Sequence, residues 1–242
     1  MESQAHHPAA RSRIVTIDGP AGVGKTTAAR TLSKKIGFLL LDTGALYRAV
    51  ALHLLREGVS QDSQSVPRER LISLDLRIEE NVGDMLIYLQ GEEISPCIRT
   101  EEIAEAASKF SALPEVRQFL LPLQRETARR QDTVAEGRDM GTVVFPDADV
   151  KFFLTADLRE RAQRRYRELL RGGARATPEE VEADIRSRDE RDATRVAAPL
   201  ARPKDAISID TTHLTPEAVV QQLLFHLTER GVLPSNRAHA LT

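Results

Sequence analysis

Residues Gly19-Pro20-Ala21-Gly22-Val23-Gly24-Lys25-Thr26 constrain this chain more than any other stretch, because they satisfy G-x-x-x-x-G-K-[ST] at every fixed position. Glycines let the backbone curl until successive N–H groups point inward at an anion. Lys25 adds a compact positive charge for the β- and γ-phosphates of a nucleoside triphosphate, and the Thr26 hydroxyl is a candidate Mg²⁺ ligand. The flanks fit. Residues 13–17 read as a buried strand, and Ala28, Ala29, Leu32 and Ile36 recur at helical spacing up to Gly37. Strand, glycine loop, helix is the order such a loop requires. Gly19, Pro20, Ala21, Gly22, Val23, Gly24, Lys25, Thr26 and Thr27 are therefore the expected nucleotide-binding segment.

The rest of the chain supplies a matching frame. Segments 13–17, 38–41, 133–135, 150–154 and 206–209 are short, apolar on both faces and separated by helical patterns. That predicts an α/β fold: a five-stranded parallel sheet of the P-loop NTPase kind, flanked by helices. A length of 242 residues with 41% hydrophobic content supports one such domain with insertions. Residues 74–94 break the pattern by alternating apolar and polar positions around Asn81-Val82-Gly83-Asp84, a hairpin signal. Thr100 then caps a helix with Ile103, Ala107 and Phe110 on one face. The expected division is a core of 12–70, 114–156 and 196–232, an inserted α+β subdomain at 71–113, a helical lid at 157–195, and disordered tails at 1–11 and 235–242. Asp157 with Glu160, and Thr177 with Glu180, both read as capping boxes. Gly172-Gly173 ends the first lid helix, and Thr215-Pro216 opens the last helix of the chain. Pro122 falls inside the helical stretch 115–130, which it is expected to kink or break.

Composition narrows the function. A formal net charge of −2, 4% aromatic residues and no tryptophan argue against a nucleic-acid binder. Cys97 is the single cysteine, so no disulfide within the chain and no cysteine zinc site can form. No apolar run reaches membrane-spanning length, and the polar start lacks the apolar core of a signal peptide. The expectation is a cytoplasmic monomer whose partners are small molecules, not membranes.

A phosphate loop alone does not separate a kinase from a GTPase, a motor or a transporter ATPase. The Asn-Lys-x-Asp guanine motif and the Leu-Ser-Gly-Gly stretch of transporter ATPases are both missing. Arginines at loop and helix positions stand out instead. Thr43 and Arg48 follow the second strand, where ligands of open α/β sheets bind, although Arg48 also reads as a solvated helix residue. Glu136-Gly137-Arg138-Asp139 ends the third strand at the same edge. Gly137 lets Arg138 approach a phosphate, and Asp139 can orient an arginine or accept from a base amino group. Arg188, Asp192 and Arg195 are spaced i, i+4, i+7 on one helix face, and Arg161, Arg164 and Arg165 cluster on the helix before it. Charged helices are usually solvated and salt-bridged. Phosphoryl transfer shifts that weighing, because its transition state spreads negative charge over oxygens that cations stabilise. Arginines on a movable helical hairpin would close over the phosphates and expel water.

Taken together, these residues resemble the bacterial-type cytidylate kinases, a family of nucleoside monophosphate kinases. The landmarks run over nearly the whole chain: residues 17–25, 41–48, Ile98-Arg99-Thr100 with Ala106-Ala107-Ser108, residues 136–146, and Arg188-Asp189 leading to Arg195 and Ala198-Pro199-Leu200. The resemblance implies transfer of the ATP γ-phosphoryl group to CMP or dCMP with Mg²⁺. It implies that Thr43, Arg48, Arg138 and Arg195 hold the acceptor phosphate. Ser108, Arg117 and Asp139 would recognise cytosine, and Arg188 and Asp192 would meet the sugar or phosphate at lid closure. Lys25, Arg138, Arg161, Arg165 and Arg195 form the expected catalytic set, and Thr26 the metal ligand. Ser108 and Arg117 rest on the resemblance alone, since spacing reads them as an ordinary helix serine and a surface arginine. The rival readings are a kinase for UMP, thymidylate or shikimate, and an ATP-dependent switch protein. The 136–146 run and the hairpin argue against the first, and the slight acidity with few stacking aromatics against the second.

Overall fold

All five apolar segments pair into one parallel sheet in the computed structural model, which describes residues 11–81, 84–173 and 175–233. The elements in chain order are β1 (Ile14–Asp18), α1 (Lys25–Ile36), β2 (Leu39–Asp42), α2 (Thr43–Arg56), α3 (Arg68–Ile72), β3 (Leu76–Asn81), β4 (Asp84–Leu89) and β5 (Glu92–Glu93). There follow α4 (Glu101–Phe110), α5 (Pro114–Arg129), β6 (Thr133–Gly137), a π-helical turn at Met140–Val144, β7 (Val150–Thr155), α6 (Leu158–Arg171), α7 (Pro178–Thr194), β8 (Ile207–Asp210) and α8 (Pro216–Glu229). Strand order is β2-β6-β1-β7-β8, with every neighbour parallel. The register sets Glu136 opposite Ile17 on one side and Asp42 on the other, while Asp18 pairs with Gly137. Three carboxylates thus collect at the carboxyl edge, where the phosphate loop begins.

Apolar clusters pack both faces of the sheet. One joins Val15, Ile17 and Phe152 to Leu32 of α1 and Leu223 and Leu227 of α8. The other joins Leu41 and Ala135 to Leu46 and Val50 of α2, Phe110 of α4 and Leu120 of α5. The expected hairpin is present: β3 and β4 are antiparallel, with Ile78 opposite Ile87 and Asn81 opposite Asp84. Its turn residues Val82 and Gly83 lie outside the described residues, and the short β5 was not foreseen. Ile87 and Leu89 are fully buried in the second cluster, so the inserted sheet shares a core with α2 and α5. Each such side chain contributes about 2 kcal/mol. The hairpin end also pairs Asp84 with Arg30 at 2.7 Å and Lys34 at 2.8 Å. Exposed pairs like these contribute about 0.5 kcal/mol each, so the apolar contact dominates.

Several local expectations change. Asp157 precedes α6 but makes no side-chain cap. Its partner Glu160 accepts from Arg164 Nε at 3.1 Å instead, and the Asp157 N–H donates to Thr212 Oγ1. The Thr177–Glu180 box does form, with bonds of 2.8 and 3.3 Å, and Thr100 and Thr215 cap α4 and α8. Pro122 does not break its helix: α5 runs continuously through it. The missing N–H leaves the carbonyl of Gln118, an exposed residue that water can serve. Arg195 follows α7 as its C-cap and so stands off the helix face it was expected to share. Arg11, assigned to the tail, donates to Asp149 Oδ1 at 3.0 Å. The expected tails at 1–10 and 235–242 lie outside the described residues.

Candidate active site

Gly19, Gly22 and Gly24 have φ of 150°, 71° and 93°, backbone angles that let consecutive loop N–H groups converge. Lys25 opens α1 and is buried beneath this loop, its Nζ donating to the Pro20 carbonyl at 2.6 Å. Burial, reinforced by the Arg138 charge, holds its pKa well below the ordinary lysine value. An arriving polyphosphate reverses that penalty by supplying the missing negative charge. Thr27 stays exposed in the first turn.

Thr26 Oγ1 donates to Glu136 Oε1 at 2.5 Å. Burial, with Asp42 adding repulsion, pushes the Glu136 carboxyl up to about 7. A hydroxyl and a carboxylate beside the lysine are hard oxygen donors of the kind Mg²⁺ takes when phosphates complete its shell. Among the described residues no group of three or more His, Cys, Asp or Glu forms a metal site by itself. Thr43 Oγ1 is turned inward and donates to the Glu136 carbonyl at 2.7 Å.

A single cleft beyond the strand ends brings together Lys25, Thr43, Arg48 and Arg138 from the core. Ser108, Arg117 and Asp139 line the same cleft, as do Arg188, Asp192 and Arg195. Arg117 is held on three sides. It pairs with the buried Asp139, donates to the Ser111 carbonyl at 3.1 Å, and stacks 5.5 Å from the Tyr47 ring centroid. Arg138 Nε donates to Asp192 Oδ2 at 2.8 Å. Arg195 lies 3.6 Å from Asp192 and 3.7 Å from Asp139.

Arg188 differs from these. Its Nε, like Arg195 Nη2, is enclosed without a hydrogen-bond partner, but unlike the others it has no described carboxylate within ion-pair distance. Burial and the neighbouring Arg138 lower its pKa to about 10. An enclosed N–H without a partner costs about 1–3 kcal/mol, a cost that an oxyanion in the cleft removes.

Two arginines expected in the catalytic set are engaged elsewhere. Arg161 of α6 is buried against the phosphate loop, donating to the carbonyls of Ala21 and Ala156, each at 3.0 Å, and pairing with Asp189 of α7. Asp189 in turn accepts from the Ala21 N–H at 3.0 Å, so the pair clamps one residue of the phosphate loop. Arg165 pairs with Glu101 and Glu168 and lines a second cleft, between helices α6 and α7 and α4. Arg164 turns away, its Nη2 donating to the Thr211 carbonyl at 2.6 Å.

Residues that sequence reasoning assigned no role also emerge. Asp18 accepts from the N–H groups of Met140 and Gly141 at 2.9 and 2.8 Å and so fixes the π turn that follows Arg138 and Asp139. Burial raises its pKa to about 6. Asp42 caps α2 by accepting from Ala45 N–H at 2.9 Å. Glu136 stood in a flagged run, but its burial beside Lys25 depends on the pairing of β1 with β6.

The same span carries the family relationship. The family model for cytidylate kinase matches residues 15–229, from β1 through the last helix. The chain belongs to the cytidylate kinase family. A cytidylate kinase of Carboxydothermus hydrogenoformans is 46% identical over 210 residues, which is 87% of this chain and 95% of the relative. The cytidylate kinase of Pasteurella multocida is 43% identical over 216 residues, 89% of this chain and 95% of that one. That of Caldanaerobacter subterraneus is 45% identical over 209 residues, 86% and 92% of the respective chains. The cytidylate kinase match therefore takes in the phosphate loop, the β3–β4 hairpin and helices α6 and α7. Among the described residues no helix is long and apolar enough to cross a membrane.

Proposed function

We propose that this member of the cytidylate kinase family transfers the γ-phosphoryl group of ATP to CMP or dCMP, releasing ADP and the diphosphate. The observation that carries the reading is the convergence of Lys25, the unpartnered Arg188 and the paired Arg117–Asp139 on one cleft. A cationic half suits phosphates. An arginine–carboxylate pair offers both donors and acceptors, which the edge of a cytosine needs.

In this reading the loop N–H groups and Lys25 bind the donor phosphates. Arg48, Arg138 and Arg195 hold the acceptor phosphate, with Thr43 beside them, and Ser108, Arg117 and Asp139 read the base. Arg188 and Asp192 meet the acceptor as the lid closes, and Arg188 neutralises charge that develops during transfer. Thr26 and Glu136 would hold a Mg²⁺ ion, which would supply charge neutralisation to the transfer. The acceptor oxygen already carries charge near neutral pH, so transfer is direct and no residue acts as a strong base. Arg161 serves the reaction by holding the loop, and Arg165 by holding the lid to α4.

Arg117→Met tests the map of the site. It removes the guanidinium that pairs with Asp139 and leaves the loop untouched. CMP affinity is expected to fall about tenfold to a hundredfold, with ATP affinity within about twofold of the parent, both read by calorimetry. An equal fall for ATP contradicts the assignment. Turnover that requires an added cytidine monophosphate tests the reaction itself.

A further inference from the structure

Arg191 has no role in the reading above, and its surroundings differ from those of Arg138, Arg161 and Arg186. Arg138, Arg161 and Arg186 end on carboxylates of α7. Arg191 Nη1 instead donates to Ser108 Oγ at 2.6 Å, a contact across 83 positions that joins α7 to α4. Among the described residues no carboxylate lies within ion-pair distance of it, although Glu101, Glu105 and Asp184 line the same cleft. Ser108 is buried and faces both clefts, the acceptor cleft and the one between lid and α4.

We infer that Arg191 is a positioning residue that locks the Ser108 hydroxyl when the lid lies over the acceptor, coupling base selection to lid closure. The inference rests on the reading of Ser108 as a base contact. A guanidinium has donors only, so Ser108 Oγ must act as acceptor in this bond. Its own proton and second lone pair remain for the base. Without Arg191, a helix serine turns its hydroxyl back to the carbonyl four residues earlier, here that of Ala104. The base then loses a partner of fixed direction. Arg191 stands one turn beyond Arg188 and next to Asp192, which holds Arg138. One rigid helix thus brings Arg188 and Asp192 to the acceptor cleft and Arg191 to the base-reading serine in the same movement.

The test is a double-mutant cycle on Ser108→Ala and Arg191→Met, read as KM for CMP, KM for ATP, and selectivity for CMP over UMP. Arg191→Met is expected to raise the CMP KM and lower the selectivity, each about tenfold, with the ATP KM unchanged. The double variant should match Ser108→Ala alone. Arg191→Lys, which keeps a donor and the charge, should recover most of the selectivity. Additive effects in the double variant overturn the inference, as does a loss shared equally by CMP and UMP. If Ser108→Ala weakens CMP while Arg191→Met does not, the coupling fails and the base-reading role of Ser108 stands. If Ser108→Ala itself leaves the CMP KM unchanged, that role fails and the inference goes with it.

Discussion

Lys25→Met is expected to lower kcat by about a thousandfold or more, the scale on which removal of one phosphate-stabilising cation acts. Lys25 is buried, and its ammonium donates to the Pro20 carbonyl. Burial and Arg138 both disfavour its charge in the folded protein. At neutral pH the native state therefore carries a penalty that the unfolded chain, with an ordinary lysine, does not. Methionine fills a similar volume without charge, so the variant should melt no lower than the parent and above it in low salt. A stable protein with its chemistry removed is the signature of a group held in strain for function. Activity within tenfold of the parent contradicts the role given to Lys25, whatever the melting temperature.

Gly19→Ala is expected to act on the fold instead. Gly19 has φ of 150°, and a Cβ there would sit 2.3 Å from the carbonyl oxygen of Leu154. Leu154 lies within β7, paired to β8 through Ile209, so its backbone cannot yield. Overlap with a fixed carbonyl and a disfavoured φ together cost about 4 kcal/mol, among the largest single-residue effects. For a chain of this size that lowers the melting temperature by about 8–16 °C. Gly24→Ala is the control. Its φ is 93°, but a Cβ there meets nothing within 4 Å, so only backbone strain of about 1–2 kcal/mol remains. Equal melting of the two variants would mean that contact with β7 does not set the position of the loop.

Local patterns were read well because their causes are local. The glycine loop, the five apolar strands and the Thr177–Glu180 box depend on residues a few positions apart, and all are present. Asp157 and Glu160 carried the same cap signature as Thr177 and Glu180. There Arg164 offered Glu160 a charged partner one turn on, and Thr212, distant in sequence, took the Asp157 N–H. The arginines show the limit most plainly. Arg161 and Arg188 read alike on charged helices. One is spent on the carbonyls of Ala21 and Ala156 and on Asp189, while the other has an enclosed Nε with no partner. That difference arises from how α6 and α7 pack over the loop, and no spacing rule carries it. Glu136 and Asp18 are similar cases, since their raised pKa values follow from strand register and burial. Ser108 and Arg117 were visible only through family resemblance, and the fold brings both to the cleft beyond the strand ends.

The central claim is that this cleft uses ATP to phosphorylate a cytidine monophosphate. It is tested most directly by ADP release from Mg-ATP with CMP, dCMP, UMP, AMP, dTMP or no acceptor. The account predicts strong turnover with CMP and dCMP, weak turnover with the other monophosphates, and almost none without an acceptor. Equal ADP release without an acceptor would identify an ATPase and contradict the account.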